Sequence, residues 1–330
     1  MPKASSWKHL DEDDVRVRPG RRGSRPRTSR RPAHDEAAGA FVTAVDRGRY
    51  RCLVGDVPVT AMRARELGRK GIVVGDRVAL VGDVSGAPDA LARVVRVEPR
   101  TSTLRRTADD TDPIERIIVA NADQLVIVTA LADPEPRPRM IDRCLVAAYD
   151  AGMDPVLCLT KADLASPDEL LATYAPLGIA SVVTRRGDDV SAVRALLTGK
   201  MSVMVGHSGV GKSTLVNVLV PDAFRAVGHV NVVTGRGRHT SSSAIALELP
   251  TGGWIIDTPG VRSFGLAHVD PSEFVGAFPD LAEGAVGCPR ACTHLQPDCA
   301  LDAWVAAGHA EQARLDSLRR LLTARDAADE

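Results

Sequence analysis

The sequence has no apolar segment long enough to cross a membrane, and none at its N-terminus that resembles a secretory signal. Its longest apolar run, residues 117–132, is interrupted by Asn121, Asp123 and Gln124, whereas a membrane-spanning helix needs about 20 mostly apolar residues. A secretory signal would place an apolar stretch after a short basic one near the start of the chain. We therefore expect a cytoplasmic protein with no membrane partner.

The chain also lacks a net charge and an internal repeat. Its 330 residues carry 42 basic and 42 acidic side chains, and 44% of them are hydrophobic. This composition is typical of folded proteins and excludes a wholly disordered or fibrous chain. A chain of this length divides into two or three domains, and we expect a monomer.

Acidic residues are missing from one segment, residues 15–34, in which proline and glycine oppose a regular helix. The segment contains eight arginines: Arg16, Arg18, Arg21, Arg22, Arg25, Arg27, Arg30 and Arg31. One interpretation is a basic arm that lies along the phosphates of RNA. The other is a solvated tail without a function, and the sequence leaves both open.

After this arm, the pattern of predicted secondary structure changes twice along the chain, which predicts a multidomain α/β protein. Residues 1–38 are interpreted as a disordered Arg-rich arm. Short strand-like runs over 39–100 predict a closed β-barrel of the OB type, with a β sandwich without a ligand as the alternative. Over 101–266, strand-like and helical stretches alternate as in a doubly wound sheet. Residues 267–330 combine a Cys/His cluster with a helical tail.

A phosphate-binding loop follows the strand-like run 202–205 and leads into a helix. It fills the pattern G-x-x-x-x-G-K-[ST], and the residues expected to bind nucleotide are Gly206, His207, Ser208, Gly209, Val210, Gly211, Lys212, Ser213 and Thr214. Glycines let successive N–H groups point at a phosphate, helped by the helix N-terminus. We expect Lys212 to bridge the β- and γ-phosphates and Ser213 to bind Mg²⁺.

A second phosphate motif, Asp257-Thr-Pro-Gly260, ends the strand-like run 254–256 further along the chain. Asp257 is expected to hold Mg²⁺ through water, and the Gly260 amide to face the γ-phosphate. Between the two motifs lies the polar segment 236–240, which reads Arg-Gly-Arg-His-Thr. Thr240 in this segment would complete the Mg²⁺ shell.

The choice of base depends on Thr160-Lys161-Ala162-Asp163, which follows the apolar run 155–159. A carboxylate at Asp163 accepts from guanine N1–H and the exocyclic amine together, a donor pair that adenine lacks, so this motif predicts GTP. Lys161 would lay its stem along the base. Asparagine is usual at the first position, and Thr160 makes fewer tethering bonds, which predicts weaker affinity without lost specificity.

The order of these motifs is reversed relative to ordinary GTPases, because the guanine motif precedes the phosphate loop. The same sheet can be built with its chain ends rejoined elsewhere, since termini of compact domains lie at the surface. The segment after Gly260 then leads directly into the C-terminal region, so hydrolysis could move that region as a lever.

The six cysteines fall into two groups. Cys52, Cys144 and Cys158 each lie alone in apolar stretches and are expected to be buried thiols. Cys288, Cys292, His294 and Cys299 instead offer four soft or borderline ligands within twelve residues, which predicts one structural Zn²⁺ per chain. Arginines of the following helical tail (Arg314, Arg319, Arg320 and Arg325) are interpreted either as an RNA-binding face or as a solvated one.

With this motif order, barrel and cysteine cluster, residues 39–305 resemble the RsgA family of circularly permuted GTPases. The resemblance implies a GTPase that acts in late maturation of the 30S subunit, binds 16S rRNA and is stimulated by the subunit. It implies phosphate and Mg²⁺ roles for Lys212 and Ser213, a switch role for Thr240, and zinc binding by the four Cys/His residues. For the guanine loop after Asp163, Thr184 is the best match.

The residue that orients the attacking water is the least defined part of the site. Many GTPases place Gln directly after the D-x-x-G motif, but Val261 stands there and cannot hydrogen-bond to water. We expect His239 to take this role, with stabilisation of its own loop as the alternative. Other functions left open are a permuted GTPase for another RNA partner and a GTP-gated RNA-binding module; a metabolic kinase is disfavoured because no acceptor-site motif is visible.

Overall fold

The structure, a computed structural model, describes residues 34–68, 71–107, 115–221, 244–258, 266, 269–270 and 274–326. Five strands form the first element: β1 (Ala38–Asp46), β2 (Arg49–Val54), β3 (Val57–Arg63), β4 (Arg77–Gly82) and β5 (Ala92–Val97). They pair in the order β1-β2-β3-β5-β4, and β4 pairs back onto β1 to close a barrel. Alternate apolar side chains such as Val42, Cys52 and Leu80 fill its interior, which confirms the predicted barrel.

A two-stranded ribbon of β6 (Thr103–Thr107) and β7 (Glu115–Ala120) follows the barrel. Its chain then turns at Asn121, which has φ of 57° and donates from its side-chain amide to the Gly75 carbonyl at 2.8 Å. Gly75 has φ of 91°, and a Cβ there would lie 1.9 Å from the Ala120 carbonyl oxygen. Only glycine allows this close approach of the barrel to β7.

In the part of the chain that the structure describes, the central sheet contains six strands, five of them parallel. They are β8 (Gln124–Ala130), β9 (Asp154–Thr160), β10 (Ala180–Val183), β11 (Met201–Val205), β12 (Ile245–Glu248) and β13 (Trp254–Asp257). Their order is β10-β9-β8-β11-β13-β12, with β12 antiparallel to β13. Ala44 of β1 pairs with Ile245 of β12, which joins the barrel to this sheet.

Helices cover both faces of the sheet, as the βαβ rhythm predicts. They are α1 (Pro138–Asp150), α2 (Asp168–Tyr174), α3 (Ser191–Leu197) and α4 (Lys212–Leu219). Leu125 and Ile127 of β8 pack in one core with α1 and α2, whereas Val126 and Val128 pack in another with α3 and α4. The alternation along β8 therefore serves both layers of a doubly wound sheet.

The C-terminal region contributes α5 (Pro279–Ala285), α6 (Ala300–Ala306) and α7 (Gln312–Asp326). Four leucines of α7 (Leu315, Leu318, Leu321 and Leu322) are buried in the same core as α1. The predicted domain ranges stay predictions, but the last helix shares its packing with the central sheet.

The three isolated cysteines, Cys52, Cys144 and Cys158, are buried thiols that form no disulfide, as expected. Burial raises the pKa of Cys52 and of Cys158 to about 12, so both are protonated near neutral pH. Among the helices of the described residues, none combines the length and apolarity that crossing a membrane requires.

Candidate nucleotide and metal sites

The phosphate loop occupies the turn between the end of β11 and the start of α4. Gly209 and Gly211 have φ of 85° and 92°, in the left-handed region that favours glycine. A Cβ at Gly206 would lie 2.4 Å from the carbonyl oxygen of Val128 and 3.1 Å from the Val210 side chain. The loop is therefore folded tightly against β8, and its backbone enters α4 at Lys212.

The two phosphate motifs meet at the carboxyl edge of neighbouring strands. Residues Met204 of β11 and Asp257 of β13 are partners in the parallel register. The Lys212 ammonium group forms an ion pair with the Asp257 carboxylate, and both side chains are mostly shielded from solvent. Thr258 donates from its hydroxyl to the Met204 carbonyl at 3.0 Å and so fixes the start of the second motif.

The guanine motif lies at the end of β9, beside the phosphate loop. The buried Thr160 hydroxyl lies 2.6 Å from the Val210 carbonyl oxygen and 3.2 Å from that of Thr129. Lys161 has φ of 58° and contacts the Asp133 carbonyl through its ammonium group. The Asp163 side chain is exposed, and hence open to a ligand.

Thr184, the residue predicted for the guanine loop, lies beside this motif. Its carbonyl accepts from the Ala162 amide at 3.2 Å, and its own amide donates to Leu159 at 2.7 Å. The end of β10 therefore lies next to residues 160–163, where a guanine-contacting loop is expected.

His207 in the phosphate loop is partly buried. Its Nδ1 lies 3.0 Å from the Ser208 carbonyl, and its Nε2 has no hydrogen-bond partner among the described residues. Burial lowers the pKa of His207, and the positive charges of Arg137 and Lys161 act in the same direction. The ring is therefore neutral near pH 7.

One part of the site was not found by sequence reasoning. The loop 131–137, between β8 and α1, supplies the Asp133 carbonyl to Lys161 and places Pro134 near Gly209. It carries no motif, and only its place at the carboxyl edge of a central strand would have indicated a role.

Several predicted site residues lie outside the described residues. These are Gly260, His239 and Thr240, together with the rest of the segment 236–240. Ser208, Ser213 and Thr214 are among the described residues, and all three are exposed.

The four predicted zinc ligands come together with their ligand atoms within 4.8 Å of one another. Cys288 Sγ and Cys299 Sγ are 3.8 Å apart, and they lie 3.7 and 3.6 Å from His294 Nδ1. Zn–S bonds of about 2.3 Å and Zn–N bonds of about 2.0 Å at tetrahedral angles give edges of about 3.8 and about 3.5 Å. Cys292 Sγ accepts from the His294 amide at 3.4 Å. The donor set and its spacing fit a closed tetrahedral metal site.

The described arginines of the C-terminal helix do not form a free basic face. Arg314 pairs with Asp280 at 2.6 Å, and Arg319 pairs with Asp302 at 2.6 Å. The third, Arg320, pairs with the buried Asp142. Neither interpretation drawn from the sequence describes these three side chains, because each one holds the helix to another part of the protein.

Comparison with known proteins places the chain among similar GTPases. The family described as RsgA GTPase matches residues 97–267. A small ribosomal subunit biogenesis GTPase RsgA of Pseudomonas syringae pv. tomato is 39% identical over 261 residues, which is 76% of this chain and 74% of that protein. The protein of the same description from Shewanella oneidensis is 39% identical over 268 residues, covering 77% and 75%.

Solved structures show the same architecture. The crystal structure of YjeQ from Thermotoga maritima aligns with a TM-score of 0.65 and 25% identity, covering 88% of this chain and 99% of that one. The crystal structure of YloQ, described as a circularly permuted GTPase, aligns with a TM-score of 0.63 and 24% identity, covering 90% and 98%. The predicted fold class, a barrel followed by a permuted GTPase domain and a C-terminal region with a Cys/His cluster, is confirmed.

Proposed function

The chain belongs to the RsgA GTPase family and is a GTP-hydrolysing enzyme, and from this we propose that it acts in biogenesis of the small ribosomal subunit. The relatives are named for biogenesis of the small ribosomal subunit. The binding partners we propose are therefore the 30S subunit and its 16S rRNA. We also propose that the protein acts as a monomer in the cytoplasm.

The observation that carries the enzymatic part is the meeting of three separated motifs at one edge of the sheet. The guanine motif at the end of β9, the phosphate loop after β11 and Asp257 at the end of β13 lie on strands that are close neighbours. This edge is where open α/β sheets bind their ligands. Since the Thr160 hydroxyl contacts the phosphate loop directly, the base and phosphate subsites share one framework.

We assign the roles residue by residue. Amides of the loop Gly206–Lys212 would bind the β-phosphate, Lys212 would leave Asp257 to contact the β- and γ-phosphates, and Asp163 would select guanine. Ser213, Thr240 and Asp257 would hold Mg²⁺, which neutralises phosphate charge when bound with GTP. The Gly260 amide would face the γ-phosphate. His239 would orient the attacking water, a role that Val261 cannot fill.

The Cys/His cluster is proposed to bind one Zn²⁺ in a structural role. Four protein ligands close the tetrahedron and leave no position for water, so the metal would supply stability rather than chemistry. The short loop 288–299 has little core of its own, and a metal would hold its two ends together.

The test is hydrolysis of GTP and ATP by the purified protein, with and without 30S subunits, at fixed salt. We expect hydrolysis of GTP alone, stimulated by 30S subunits and not by 50S subunits. Asp163→Asn should abolish the preference for GTP, whereas His239→Ala should bind GTP normally and lose stimulated turnover. Slow GTP hydrolysis that neither subunit stimulates would contradict the proposed ribosomal partner, but not the proposed nucleotide site.

A further inference from the structure

The C-terminal helix α7 is fastened to the GTPase domain by two arginines that contact different elements. Arg314 donates to Asp280 at 2.8 Å and to the Pro176 carbonyl at 2.9 Å, and its guanidinium lies 5.2 Å from the Phe278 ring centroid. None of these partners belongs to α1. Arg320, almost two turns further along the helix, contacts α1 itself.

Arg320, which is partly exposed, forms a network with the buried side chains of Asp142 and Tyr174. Its guanidinium lies 3.2 Å from the Asp142 carboxylate and 5.0 Å from the Tyr174 ring centroid. The Tyr174 hydroxyl donates to the Pro138 carbonyl oxygen at 3.2 Å, and Tyr174 and Asp142 are close enough for each to shift the pKa of the other. Pro138 is the first residue of α1, so this network fixes the N-terminal turn of that helix.

The residues immediately before α1 support the nucleotide site. The Leu131 amide donates to the Thr160 carbonyl at 3.0 Å, the Asp133 carbonyl accepts from Lys161, and Pro134 lies near Gly209. Loop 131–137 therefore contacts the guanine motif and lies beside the phosphate loop. Its two ends are held by β8 on one side and by the first turn of α1 on the other.

We propose that Arg320 is a positioning residue for the nucleotide site, acting through Asp142 and Tyr174 on the first turn of α1 and thereby on loop 131–137. The inference rests on the nucleotide site proposed above. Removal of the network lets the first turn of α1 shift, and loop 131–137 then supports Lys161 and the phosphate loop less well. The consequence is faster release of bound guanine nucleotide.

The experiment measures dissociation of a fluorescent, ribose-labelled GDP from the full-length protein by stopped flow. Arg320→Met keeps the apolar stem but removes the ion pair, and Tyr174→Phe keeps the ring beneath Arg320 but removes the hydroxyl. We expect each to speed GDP release, Arg320→Met by about three- to tenfold, with turnover at saturating GTP nearly unchanged. Because both act on one network, the double variant should release GDP more slowly than the two separate effects predict.

Arg314→Met is the matched control, since it loosens the same helix but removes hydrogen bonds to Asp280 and Pro176 rather than to the first turn of α1. It should lower the melting temperature but leave the GDP release rate within about twofold of the wild-type rate. Equal acceleration of GDP release by Arg314→Met would overturn the proposal. An unchanged GDP release rate in Tyr174→Phe would overturn it too, and this variant tests the proposal even if Arg320→Met fails to fold. If the wild-type protein itself does not bind the labelled GDP, the proposed nucleotide site fails instead.

Discussion

The hydroxyl of Thr160 links the proposed base and phosphate subsites directly, which makes Thr160→Val an informative substitution. Valine has nearly the same shape and removes only the hydroxyl, which lies 2.6 Å from the Val210 carbonyl and is buried. Losing one buried hydrogen bond and leaving its acceptor unpaired costs about 1–3 kcal/mol. Part of that loss should appear as reduced stability and part as a less ordered phosphate loop.

The expected effect on binding follows from the second part. If about 1 kcal/mol of the bond holds the loop in its binding conformation, the Kd for GTP rises about fivefold, because 1.4 kcal/mol corresponds to a factor of ten. Ser102→Ala is the matched control, since its buried hydroxyl donates to the Ala122 carbonyl at the same 2.6 Å but away from the nucleotide. Both variants should unfold at lower urea concentrations, and only Thr160→Val should bind GTP more weakly in a titration. Equal stability losses with unchanged GTP affinity in both would refute the reasoning.

Three further predictions concern other parts of the protein. Cys292→Ser should reduce the metal content from one zinc per chain to none and lower the unfolding free energy by several kcal/mol, whereas Cys144→Ala should keep its zinc; elemental analysis and thermal melts distinguish them. For His207, whose pKa is lowered mainly by burial, the unfolded chain takes up the proton first as pH falls below about 6.5. Wild type should therefore lose stability relative to His207→Gln from that pH downward. Thermal melts of both proteins at pH 7.5 and 5.5 test this, and a stability difference that is the same at both pH values would contradict it. Gly206→Ala should cost about 1–3 kcal/mol of unfolding free energy by overpacking, because its Cβ would meet backbone rather than a movable side chain.

Which residues bind nucleotide and metal stays a prediction, but the structure does bring together the residues of the phosphate loop and those of the Cys/His cluster, because each of these two sets is contiguous in the sequence. The glycines of the phosphate loop and the Cys/His cluster lie within a dozen residues of one another, so short-range spacing alone brings their groups together. The strand-like runs 155–159, 202–205 and 254–256 also located β9, β11 and β13 to within one residue at each end, inside the usual uncertainty of element ends. The apolar run 117–132 contains two strands, and the turn between them depends on Asn121 bonding to the distant Gly75.

Contacts between residues far apart in the chain could not be predicted in this way. The α7 arginines were interpreted as a surface face because their partners are far away in the sequence. Asp142 is 178 positions from Arg320, and Asp280 is 34 positions from Arg314. Loop 131–137 likewise has no distinctive composition and acquires its role only from the strands beside it. Antiparallel strand β12 is too short, at four residues, for alternation to reveal it.

The packing of α7 restricts how hydrolysis could move the C-terminal region. A swing of all residues from 267 onward would pull the four buried leucines of α7 from the core they share with α1. At about 1.5–3 kcal/mol for each buried side chain, exposing them would cost roughly 6–12 kcal/mol. Coupling free energies between sites are typically about 1–3 kcal/mol, too small to drive that motion. Any response to the γ-phosphate should therefore be taken up by the chain between β13 and α7, which contains the Cys/His cluster, while α7 stays on α1.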